Sequence, residues 1–156
     1  MLQPKVALFV WLVARGRILT SDNLQKRGII GPSQCCLCYQ VEESMSHLLD
    51  SFPFAAAVWD KGAMRFRRSD RRWVQPSQTL REWCPRAYKN PIIRTIWDAF
   101  PGMAMWCVWK ERNARIFRDQ CKDMEAIWNS VQDNLISSIR CMQWHEHDKI
   151  LMREEV

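Results

Sequence analysis

Apolar positions along this chain recur mainly at the 3.6-residue period of an α-helix. In the first stretch, Val6, Phe9, Val10 and Val13 share one face, while Leu8, Trp11 and Leu12 cover much of the rest. A helix that is apolar nearly all round is expected to be buried on most sides. Pro4 suits its first turn and Gly16 closes it. A short second helix is expected over Asp22 to Arg27, capped by Thr20 or Ser21 and ended by Gly28. Gly31-Pro32-Ser33 then turns the chain into a cysteine cluster. Beyond the cluster, Ser44 or Ser46 can cap a short helix carrying His47, Leu48 and Leu49. Pro53 breaks that element and starts another, with Val58 and Trp59 as core residues.

The pattern lapses between Lys61 and Arg72, where six basic residues (Lys61, Arg65, Arg67, Arg68, Arg71 and Arg72) face one acid, Asp70. This reads as an exposed basic linker. Helical periodicity then returns. Ile92, Ile93, Ile96 and Trp97 form a stripe that Pro101-Gly102 should interrupt. Met105, Trp106, Trp109, Ile116 and Phe117 continue it on a helix whose other, wet face holds Lys110, Arg112, Arg115 and Arg118. A last helix, opened near Asp123, carries Ile127, Trp128, Val131, Leu135, Ile139 and Met142. The expected fold is mainly α: a short zinc-knuckle-like turn between helices, then a small antiparallel helical bundle. The expected division is a first domain over 1–60, a basic linker and irregular segment over 61–90, and a helical C-terminal region over 91–148.

Composition sharpens this only in places. With 47% hydrophobic and 26% charged residues the chain is globular in character, and five Gly disfavour a turn-rich all-β fold. Nine Trp against two Tyr imply extensive packing or an interface, and self-association through a Trp-rich surface is an expectation. The net charge of +6 suits a polyanionic partner but says nothing of fold. The most apolar run, Val6 to Ala14, is about half the ~20 residues that span a bilayer, so no membrane association is expected.

Seven Cys make a poor disulfide framework, and three of them crowd at Cys35, Cys36 and Cys38. Clustered Cys near a His points to metal binding in a reducing compartment, the nucleus or cytoplasm. Two thiolates separated by two residues can grip one ion from a tight turn, and His47 can add an imidazole nitrogen. A structural zinc site wants a fourth ligand shortly beyond, where Phe52 stands. Cys36 could step in, although adjacent residues seldom reach one ion without strain.

These positions carry a resemblance. Pro4-Lys5, Phe9, Trp11-Leu12, Gly16 to Thr20, Asn23-Leu24, Arg27-Gly28, Cys35, Cys38, Glu43-Ser44, His47-Leu48, Pro53 to Ala55 and Val58-Trp59 together resemble the plant reverse-transcriptase zinc-binding domain of non-LTR retrotransposons. Trp97 and the run Trp109 to Phe117 resemble a region that often trails this domain. The resemblance implies a zinc ligand set to which Cys35, Cys38 and His47 correspond. The family has a Cys before the Pro that is Pro53 here, so Phe52 replaces the fourth ligand in a degenerate copy. The chain also begins inside the domain as the family has it.

What this implies is a non-catalytic, zinc-binding-like module assisting RNA or single-stranded DNA handling, with the basic residues of 61–72 as the nucleic-acid candidates. The alternative is a helical interaction or relic protein with neither metal nor nucleic-acid function. No Gly-rich phosphate loop, Asp-Asp pair or nucleophile elbow argues for an enzyme. His145-Glu146-His147 reads as a solvated tail.

Overall fold

The computed structural model describes residues 2–66, 80 and 88–154, from 141 onward by backbone alone. Arg67, Arg68, Arg71 and Arg72, and the side chains of Met142, His145 and His147, lie outside the described residues.

The elements are α1 (Pro4–Ala14), α2 (Ser21–Gln25), one wide π-helical turn (His47–Ser51), α3 (Pro53–Arg65), α4 (Pro91–Arg118) and α5 (Met124–Glu154). Among the described residues there is no strand beyond an isolated bridge between Gln34 and Glu42. The mainly helical expectation holds.

Gly16 ends α1 as its sequence position suggests. At φ 65° it lets its own N–H reach the Val13 carbonyl (2.9 Å) while Arg17 N–H reaches that of Leu12 (2.8 Å). This satisfies carbonyls that the helix end would strand. Burial of α1 departs from expectation. Only Val6, Phe9 and Val13 are buried, whereas Leu8 is 60% and Trp11 48% exposed. One partner helix, α4, takes the inner face, with Phe9 against the rings of Trp106 and Trp109 at 5.3 and 5.9 Å. The apolar outer face has no cover among the described residues.

The stripe of the second half runs through Pro101 without interruption, so α4 is one helix of 28 residues. Proline there removes the hydrogen bond to the Trp97 carbonyl and ordinarily breaks a helix. Packing overrides that preference: Trp97 and the run from Ala99 to Met105 are buried, and each large side chain is worth about 1.5–3 kcal/mol. Gly102 admits α1 closely, since a Cβ there would lie 3.0 Å from Val10 Cγ2. Asn90 caps α4, accepting from Ile92 N (2.9 Å) and Ile93 N (3.3 Å). Ile92 and Ile93 at its start and Ile116 and Phe117 at its end are exposed, so the core occupies only the middle of the stripe.

Asp123 caps α5 through Ala126 N (2.7 Å). Ile127, Val131 and Leu135 then pack back on α4, giving an antiparallel pair where three bundle helices were expected. α3 lies against both, and Trp59 of α3 meets Phe100 edge-on at 5.5 Å. A single apolar cluster runs from Val6 through Leu48, Phe52 and Val58 to Met103 and Leu135. The core therefore crosses the position near residue 60.

Candidate metal centre

Residues 33–43 form a tight loop. Glu43 N–H donates to the Ser33 carbonyl (2.7 Å), Cys35 N–H to that of Val41 (2.8 Å), and Tyr39 N–H to that of Cys35 (2.9 Å). Tyr39 takes a left-handed φ of 55°, which reverses the chain after Cys38. The loop turns both sulfurs to one side. His47 opens the π-helical turn that follows, its N–H capped by Ser44 Oγ at 3.1 Å.

The thiols of Cys35 and Cys38 and a ring nitrogen of His47 lie within 4.8 Å of one another, and Cys38 Sγ is 3.4 Å from His47 Nε2. Sulfur and nitrogen bound tetrahedrally to one zinc would stand about 3.5 Å apart, from Zn–S near 2.3 Å and Zn–N near 2.0 Å. Cys35 is fully buried, and Cys38 and His47 are half-buried.

Burial pushes the Cys38 thiol up, but N–H groups from Gln40, Val41 and its own backbone, with the Cys35 thiol, outweigh this and leave it below its ordinary range. Burial lifts the Cys35 thiol above that range and lowers the His47 imidazole below its own, the latter against the pull of Glu43. Burial thereby favours the neutral imidazole, the form that binds metal.

A closed four-ligand site does not fit. Phe52 is 3% exposed, with its ring edge-on to His47 at 6.0 Å and tilted against Phe54 at 5.2 Å. Cys36 does not replace it, because its thiol turns toward the Arg112 carbonyl (4.0 Å), and burial pushes it up to about 11. The residues present can offer three donors to one ion, with the apolar ring of Phe52 packed beside His47.

Two charged pairs behind the loop escaped the sequence. Glu43, 1% exposed, holds Arg112 through two bonds, from Nη2 to Oε1 (2.7 Å) and Nε to Oε2 (3.0 Å). Glu43 Oε1 also accepts from Ser21 N at 3.0 Å, joining α2, the knuckle and α4. Glu111 is likewise buried and accepts from Arg115 Nε (2.8 Å), while Arg115 Nη1 reaches the Leu37 carbonyl (3.4 Å). The expected wet face thus fails at Arg112. It is buried because a carboxylate 69 residues earlier waits for it.

The expected nucleic-acid cations fare unevenly. Lys61 and Arg65 lie in the last turns of α3, where Lys61 pairs with Glu125 of α5 and Arg65 is exposed.

Fold and site define a helical assembly around a Cys–Cys–His knuckle. Residues 1–59 match the model of a family described as zinc-binding in reverse transcriptase, and in that segment the chain is similar to it. An Arabidopsis thaliana protein named as a ribonuclease H protein is 27% identical over 126 residues, 76% of this chain. The chain spans 19% of that relative's length. No solved structure matches. Among the described residues no helix is long and apolar enough to cross a membrane.

Proposed function

We propose that this chain is a non-catalytic, retrotransposon-derived binding module that assists the handling of RNA or single-stranded DNA, with a zinc site weakened by Phe52. The observation that carries it is the convergence of Cys35, Cys38 and His47 within 4.8 Å inside the segment that matches the family. The division at 60 is kept as one of kinship. The basic residues of 61–72 remain its proposed nucleic-acid contacts, and of these Lys61 also pairs with Glu125. Three of the acids serve structural ion pairs: Glu43 with Arg112, Glu111 with Arg115, and Asp22 with Lys26. Cys35, Cys36, Cys38, Cys107 and Cys121 are free thiols, which suits the nucleus or cytoplasm.

Zinc content and thermal melting of the parent beside Phe52→Cys test the metal. The parent should hold zinc weakly and lose it to a mild chelator. The variant should bind one equivalent tightly and melt several degrees higher with zinc, yet lower than the parent without it, since a buried ring is removed. A parent that already keeps one equivalent against chelator would overturn the weakened site. Salt-dependent binding to a single strand tests the rest, and no binding at low salt would end it.

A second reading, a helical interaction protein that self-associates, is favoured by one observation, the exposed Leu8 and Trp11 face. Concentration-dependent sedimentation without nucleic-acid binding would support it.

A further inference from the structure

We infer that the outer face of α1 and the turn after it form a platform for single-stranded nucleic acid, with a base stacking on Trp11 and phosphates meeting Arg15, Arg17 and Arg27. This rests on the nucleic-acid reading above but uses a different surface.

Trp11 is 48% exposed on a helix whose other face is filled, and Leu8, one turn earlier, is 60% exposed. Arg15 lies over the Trp11 ring, its Cζ 5.0 Å from the centroid. Arg17 follows at the end of the helix, and Arg27 reaches across from the end of α2 to the Arg17 carbonyl (3.4 Å). All three arginines are exposed, and none has an acidic partner among the described residues. The first acid of the chain is Asp22, which is tied to Lys26 at 3.1 Å, and the buried Glu43 is taken by Arg112. Among the described residues, no carboxylate neutralises the patch.

Aromatic rings flanked by unneutralised cations are what a single strand needs, the ring for a base face and guanidinium groups for the backbone. Leu8 extends the apolar shelf beside the ring. A protein seated on this face would have to desolvate three guanidinium groups without a carboxylate of this chain to meet them, so the charge favours a polyanion.

The test is fluorescence anisotropy of a labelled single-stranded oligonucleotide with the full chain at several salt concentrations. Trp11→Leu should weaken binding roughly tenfold or more, while Trp11→Phe, which keeps a ring, should stay near the parent. Arg15→Gln, Arg17→Gln and Arg27→Gln combined should flatten the salt dependence, by about 0.7 in log–log slope for each phosphate no longer neutralised. All positions are exposed, so unchanged melting curves are expected. If the α1 variants bind like the parent while Arg67→Gln, Arg68→Gln, Arg71→Gln and Arg72→Gln combined abolish binding, the platform is refuted and the nucleic-acid reading survives. If the parent binds nothing at low salt, both fall. Equal weakening in Trp11→Leu and Trp11→Phe would also refute stacking.

Discussion

Among single residues, Glu43 and Arg112 show most clearly how context decides a side chain's role. Each would be costly to bury alone, and together they satisfy one another through two short bonds at 1% and 6% side-chain exposure. Removing one partner strands the other charge. Glu43→Gln or Arg112→Met should therefore destabilise the fold by about 3–5 kcal/mol in urea unfolding. The double change Glu43→Met with Arg112→Met should recover much of that stability; a double variant as weak as either single one would refute this account. His47 gives a second residue-level expectation, for the metal-free chain. Above its ordinary value of 6.5 the imidazole is neutral both folded and unfolded, so pH has no leverage through it. Below that value the unfolded chain takes up a proton that the folded chain resists, and stability falls with falling pH. Urea midpoints across this range should drop more steeply for the parent than for His47→Gln. The convergence of Cys35, Cys38 and His47 was legible because their loop is local and their spacing is short. The Glu43–Arg112 pair was not, because nothing in a helical run of charges says which cation will meet a distant carboxylate.

At the scale of elements, helix ends were legible where a residue type dictates backbone geometry, as at Gly16 and Asp123. Pro101 misled for the opposite reason, since its local preference is outweighed by the packing of α4 over the turns on either side. Apolarity misled in α1: the sequence records how much of the helix could be buried, but only packing decides how many faces find partners. Close approach of α3 to α4 was equally invisible, and it centres on Gly62, where any Cβ would collide with the Phe100 ring. Gly62→Ala should cost about 1–3 kcal/mol by overpacking. Gly102→Ala meets only side-chain tips at 3.0 Å and beyond and should cost less. Chemical denaturation of the two variants in parallel checks the order.

For the whole molecule, the consequence lies in the core that passes from α1 through the knuckle to α4 and α5. A fragment ending at residue 60 would lack Trp106 and Trp109 beside Phe9, Phe100 beside Trp59, and Arg112 beside Glu43. That fragment should unfold without a cooperative transition, whereas the full chain should melt in one step with coincident near- and far-ultraviolet circular dichroism. A sharp transition in the fragment would show that the domain stands alone. The family likeness over 1–59 and the folding unit are thus expected to have different boundaries.

Phe52 has a further consequence at the level of the gene. Codons for phenylalanine and cysteine differ only at the middle base, so one nucleotide change separates position 52 from the cysteine that the family resemblance implies. The loop and the His47 turn still hold their donors within reach of a common point. A cysteine at position 52 would stabilise the chain only with an ion bound tightly enough to compensate for the packing of one missing ring.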